Sequence, residues 1–230
     1  FSHGASGFAV ALLEAWAISG DAMLRDAARE GFAFEDSLFS EPAKNWIDTR
    51  SPYHSDGGVI SGVCQSSWCH GAPGIALARL RAMHLDVDRG LEHARRAEIA
   101  IATTREQLRL FLSQPGRDAT LCHGITGLSE VLLRYAQITG DQQAHDVVVD
   151  AALQLTGSYR RLAEWPSGIN AGGPNPSLMV GAAGVGYHFL RITAPEIVRP
   201  ILLIEPLTSL PAGTPQASPS APASARFECG

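Results

Sequence analysis

The sequence predicts an all-α protein built from repeated helical hairpins, and three observations carry that prediction. A G-x-x-G motif recurs four times, each copy leads into an apolar-rich stretch, and no alternation of strand period is sustained. The four copies are Ser2-His3-Gly4-Ala5-Ser6-Gly7, Cys69-His70-Gly71-Ala72-Pro73-Gly74, Cys122-His123-Gly124-Ile125-Thr126-Gly127 and Met179-Val180-Gly181-Ala182-Ala183-Gly184. Their leading glycines are spaced by 67, 53 and 57 residues. Nine positions after each stands a leucine (Leu13, Leu80, Leu133, Leu190), followed by a charged residue (Glu14, Arg81, Arg134, Arg191).

The elements follow in order. Phe8-Ala9-Val10-Ala11-Leu12-Leu13 has almost no polar face, as expected of a buried inner helix, and the other repeats begin the same way. After Gly20-Asp21 and Gly140-Asp141 come more polar stretches. In the second of these Val147, Val148, Ala151, Ala152 and Leu155 recur at helical spacing, as an outer helix requires. Asp21 and Asp141 are suited to cap these outer helices. Residues 31–62, with Pro42, Pro52, Gly57 and Gly58, read as an irregular loop over one rim. Leu91 to Leu112 reads as a helix whose basic side chains form a solvated face. Inner helices this apolar would not line an open groove, so a closed α/α ring is expected rather than an open solenoid. The predicted organisation is one domain over 1–205, followed at 206–230 by a Pro/Ala/Ser-rich tail that cannot bury enough to order itself.

The chain has 230 residues, 45% hydrophobic and 18% charged, with 18 basic against 23 acidic side chains and a net charge of −5. That balance, without a basic cluster, argues against nucleic acid as a partner. Apolar runs fall short of the roughly 18 residues that span a bilayer, so no membrane span is expected. Four cysteines are too few to staple a chain of this size, and a reduced, cytoplasmic setting fits better. The opening at Phe1 reads as an internal boundary of something longer.

If the repeats are equivalent in space, the slot before each leading glycine gathers His3, His70, His123 and Val180 on one rim. The slot before that gathers Ser2, Cys69, Cys122 and Met179. Two thiols and three imidazoles near helix N-termini suggest zinc (Zn2+), which takes sulfur and imidazole nitrogen in a tetrahedral shell. Cys69, Cys122 and His123 would supply three ligands from neighbouring inner helices, and the open fourth position marks a catalytic rather than structural site. A substrate thiol entering there would be deprotonated yet still nucleophilic. His3 and His70 could be a further ligand and an acid or base. Cys64 and Cys229 fall outside the slot and read as non-functional. Trp46, Trp68 and Trp165 read as core or lid aromatics, and His54, His84, His93, His145 and His188 as ordinary structural histidines. No Lys-Ser or Lys-Thr follows the G-x-x-G pairs, so they serve packing rather than phosphate binding.

Ser67-Trp68-Cys69-His70-Gly71-Ala72-Pro73-Gly74, Leu121-Cys122-His123-Gly124 and Phe1-Ser2-His3-Gly4 together resemble the lanthionine synthetase C-like cyclases, α/α toroids that close thioether rings in lanthipeptides. The ending, Asn175-Pro176-Ser177-Leu178-Met179-Val180-Gly181 through Ile201-Leu202-Leu203-Ile204-Glu205-Pro206, resembles the C-terminal cyclase domain of class II bifunctional synthetases. His70 agrees with that choice, since nisin-type cyclases usually carry tyrosine there. The resemblance implies that Cys69, Cys122 and His123 hold one zinc, which activates a cysteine thiol of a dehydrated precursor peptide. That thiol adds to dehydroalanine or dehydrobutyrine, giving lanthionine or methyllanthionine. It further implies an acid/base role for His3, a secondary proton-handling or orienting role for His70, and an upstream dehydratase on the same chain. The family ring has seven hairpins, of which about four are expected here, and a family arginine four residues before the first zinc cysteine is replaced by Gln65. Competing readings are a glutathione- or peptide-binding module without catalysis and an inactive truncated scaffold. A glycan hydrolase would need two carboxylates in the rim slots, which hold none.

Overall fold

The computed structural model describes residues 1–161, 164–167, 175–203 and 205. Each G-x-x-G motif opens a helix: α1 (Ala5–Ser19), α3 (Ala72–Leu85), α5 (Ile125–Thr139) and α7 (Ala182–Thr193). Behind the first three lie α2 (Ala22–Ser37), α4 (Gly90–Leu112) and α6 (Gln142–Ser158). The inner helices pack side by side in chain order, α1 on α3, α3 on α5 and α5 on α7, and each outer helix backs the inner helix that precedes it. The result is a two-layer arrangement of helical hairpins. The fourth repeat departs from expectation: among the described residues it supplies the inner helix α7 alone, followed by irregular chain at 194–200. The expected tail at 206–230, with Cys229, lies outside the described residues.

The motif has a steric reason. A Cβ on its second glycine, at Gly7, Gly74, Gly127 or Gly184, would strike the main-chain carbonyl six residues earlier, at Phe1, Trp68, Leu121 or Leu178. The chain entering each inner helix therefore lies against that helix's first turn, and only a residue without a side chain admits it. The same contact in all four repeats establishes their equivalence and explains the motif by packing, as expected.

Burial grades across the layer. Every residue of α5 from Ile125 to Leu133 and of α3 from Ala72 to Leu80 is buried, whereas α1 and α7 leave Phe8 (73% exposed) and Leu190 (57%) in solvent. The outer helices start as the sequence predicts, since Asp21 accepts from the Met23 amide at 2.9 Å and Asp141 from the Ala144 amide at 3.0 Å. At the far end of the inner helices the repeated charged slot forms ion pairs, Arg81 with Glu14 at 2.5 Å and Arg134 with Glu205. Deeper in, the buried Arg79 guanidinium binds Glu35 at 2.8 Å and Asp36 at 2.9 Å, tying α3 to α2.

Two expectations need correction. Helix α4 matches the predicted 91–112 helix, but its basic face is not simply solvated. Arg96 pairs with Asp36 at 3.0 Å and Arg105 with the cap residue Asp141 at 3.1 Å, joining outer helices to one another. Nor is 31–62 an irregular loop. It contains the end of α2 and two antiparallel hairpins, β1 (Phe39–Ser40) with β2 (Asn45–Trp46) and β3 (Tyr53–Asp56) with β4 (Val59–Gly62). Gly57 and Gly58, with φ of 54° and 83°, make the two-residue turn that favours such a hairpin. No residue of β3 is buried, so the alternation that betrays a half-buried strand never arose.

Candidate metal centre and adjoining cleft

The second and third repeats place their rim turns next to each other. At the second, Ser67 and His70 exchange main-chain hydrogen bonds of 2.9 and 3.1 Å, and Asn45 of β2 fastens the turn from outside. The Asn45 carboxamide accepts from the Ala72 amide at 2.9 Å and donates to the Gln65 carbonyl at 3.0 Å, capping α3 from a distant part of the chain. At the third, the Cys122 amide donates to the Met179 carbonyl at 2.8 Å, linking the rim to the fourth repeat.

These turns bring Cys69, Cys122 and His123 together. Their ligand atoms all lie within 4.8 Å of one another, and the three residues could hold a metal ion. Tetrahedral coordination with metal–sulfur bonds near 2.3 Å and metal–nitrogen bonds near 2.0 Å requires donor separations of about 3.5–3.8 Å. The three donors, none more than 4.8 Å from another, are gathered at about the scale of such a shell. The Nε2 of His123 lies 3.0 Å from the Asp118 carboxylate, so Nδ1 is the ring nitrogen that could meet a metal. Asp118 is itself held, accepting from the Thr120 amide at 2.8 Å and the Thr120 hydroxyl at 3.0 Å.

The thiols are electrostatically unequal. Cys69 is drawn down to about 5, first by the hydrogen bond from Cys122, with burial opposing, then by Ser67 at 3.3 Å and the nearby His70 and His123. Cys122 is pushed well above the usual thiol range by that same bond to the charged Cys69 sulfur and by burial. The pair thus shares one proton, and a bound dication would relieve the repulsion that keeps it there.

His3 and His70 also converge, stacked with ring centroids 5.3 Å apart and planes 18° from parallel. Both line a cleft of about 130 Å³ together with Glu35, Asp48, Arg50 and Gln65. Burial holds His70 below the usual imidazole range. Glu35, at the base of the cleft, receives the Ser6 hydroxyl and is raised to about 7 by burial, against the pull of Arg79. Of the remaining predicted structural residues, His93 and His188 are buried and hydrogen-bonded, His188 to Glu130 at 2.8 Å. Cys64 is a half-buried free thiol away from the cluster.

Sequence reasoning missed Asp118, Asp48 and Arg50. The only local signal was the Asp118-Ala119-Thr120 turn so close ahead of Cys122. Asp48 and Arg50 reach the cleft from residues read as loop.

A layered helical-hairpin protein with a two-cysteine, one-histidine centre on one rim is the class these features define. The chain belongs to the lanthionine synthetase C-like protein family, whose sequence model matches residues 1–203. It is also similar to the lacticin 481/lactococcin biosynthesis protein LcnDR2 of Lactococcus lactis subsp. lactis, with 23% identity over 201 residues. That similarity takes in 83% of this chain and spans about 20% of the relative's length. No helix among the described residues is long and apolar enough to cross a membrane.

Proposed function

We propose that this chain is the cyclase part of a lanthipeptide synthetase, adding cysteine thiols of a dehydrated precursor peptide to dehydroalanine or dehydrobutyrine. The observation that carries this reading is the convergence of Cys69, Cys122 and His123 in a chain of this family. These three residues would hold one zinc ion, whose donor preference matches two sulfurs and one imidazole with a fourth position left for substrate. Bound there, zinc would supply the Lewis acidity that keeps an incoming thiol deprotonated at neutral pH. The inner-helix layer is read as an arc of the family's α/α toroid.

The chain's own residues do the rest. Asp118, 3.0 Å from the His123 Nε2, would orient that ring before metal arrives. Thiolate addition to the β-carbon leaves charge on the amide oxygen and requires a proton at the α-carbon. His3 and His70, which stack at the cleft, would take the proton a substrate thiol gives up and return one to that carbon. The low position of His70 favours its neutral, accepting form. The partner implied is the dehydrated precursor, made by a dehydratase carried upstream on the same polypeptide.

Addition leaves the peptide mass unchanged, so the test counts thiols. Full-length protein is incubated with dehydrated precursor, and residual cysteines are alkylated and scored by mass spectrometry. Loss of alkylation in step with ring formation is expected. Free thiols that persist at enzyme-free levels would refute the reading. Saturable glutathione binding without cyclisation would favour the binding-module alternative instead.

A further inference from the structure

The cleft beside the thiol pair has a charge problem that neither histidine solves. If the proposed addition takes place there, on which this inference rests, an enolate oxygen forms in a cleft whose acidic groups are Glu35 and Asp48. An anion of that kind is stabilised by a donor fixed in advance and aimed where the charge develops. Among the residues lining the cleft, Arg50 alone carries a permanently charged side chain cation.

Its position is set by local structure. Asp48 is anchored through its amide to the Val63 carbonyl at 2.8 Å, beside the bridge of Ile47 to Cys64. Its carboxylate takes the Arg50 Nε at 2.9 and 3.2 Å and the Nη2 of the same group, and this pairing lowers Asp48 to about 2. One edge of the guanidinium is thereby clamped. Nη1 makes no hydrogen bond among the described residues, although 58% of the side chain is open to solvent. Arg50 lines the same cleft as His3 and His70, so its guanidinium shares that space with the proton-handling pair.

We propose that Arg50 is a catalytic residue that contacts the peptide: its free Nη1 donates to the carbonyl oxygen of the dehydro residue and holds the enolate formed on addition. In that step the thiolate forms the carbon–sulfur bond at the β-carbon, the Cα=Cβ π pair becomes the π bond between the α-carbon and the carbonyl carbon, and the carbonyl π pair moves onto the oxygen. The carbonyl re-forms as the α-carbon takes a proton from the His3–His70 pair, which received one from the substrate thiol. Asp48 is its positioning residue.

The test uses full-length protein, dehydrated precursor and the alkylation assay, with zinc content and melting temperature measured in parallel. Arg50→Ala is expected to lower kcat about 10- to 100-fold, less than a fully buried oxyanion donor because of its exposure, with KM and zinc content nearly unchanged. Arg50→Lys keeps the charge and the pairing with Asp48 but not the fork, and should fall about 3- to 10-fold. A wild-type kcat in folded Arg50→Ala overturns the assignment; if that variant melts early, Arg50→Lys carries the test, and a wild-type kcat there overturns it. A loss confined to KM, or a loss that follows zinc content, likewise overturns it. Wild-type protein that fails to cyclise would instead remove the function on which the inference rests, which keeps the two failures apart.

Discussion

The two central repeats and the two flanking ones use the same backbone device for different ends. All four clamp the incoming chain against a glycine, yet Cys69-His70 and Cys122-His123 stand ahead of the central helices while Ser2-His3 and Met179-Val180 stand ahead of the others. The central helices α3 and α5 are buried through their first turns, and α1 and α7 are not. The clamp is therefore architecture, and the residues just before it are free to carry chemistry where the surroundings are rigid.

The comparison can be broken most directly at the clamp. Gly127→Ala sets a methyl group against the Leu121 carbonyl and should cost about 2–3 kcal/mol in denaturant unfolding. Gly4, with nothing within 4 Å of its added Cβ, should tolerate alanine at under about 1 kcal/mol. Equal costs would mean that the clamp is not what the motif serves.

The next largest effect concerns His123. Asp118→Asn can keep its hold on Thr120 while losing the negative charge opposite Nε2, and metal affinity should fall about 10- to 100-fold in competition with a chromophoric chelator. Unchanged affinity would reduce Asp118 to a turn-former.

A smaller effect separates the two thiols of metal-free protein. With Cys69 near 5, its thiolate fraction and alkylation rate should stay level from about pH 8 down to about pH 6. Below 5 the rate should fall roughly tenfold per pH unit, while Cys122 reacts slowly throughout. Two matching profiles with ordinary thiol midpoints would contradict the shared-proton description.

The smallest effects compare outer-helix caps. Asp141→Ala, which loses the Ala144 bond and the Arg105 pair, should cost about 1–1.5 kcal/mol in thermal unfolding, and Asp21→Ala about 0.5–1 kcal/mol. A reversed order would show that the central hairpins gain nothing from that ion pair.

Much of this was legible from residue spacing. The repeat placed Cys69, Cys122 and His123 on one rim because equal slots in equivalent hairpins must coincide, and the Gly-Asp pairs marked where outer helices begin. What escaped was whatever one part of the chain does to another without periodicity. Asn45 caps a helix 27 residues later, and Arg50 enters the cleft from a strand-flanked loop whose exposed hairpin shows no alternation. The fourth outer helix was inferred by symmetry, and no physical rule obliges the last repeat to keep its partner. The Gln65 substitution looked like a lost cation when only residues near Cys69 were considered. In three dimensions Arg50 shares the cleft with Gln65.

The central claim is that two neighbouring repeats build one metal centre. Its most direct test is elemental analysis of purified full-length protein against Cys122→Ala at known concentration. About one zinc at this site in the parent, lost in a variant that keeps its helical signal, is the result expected. A folded parent without zinc, or a variant that retains it, would contradict the claim.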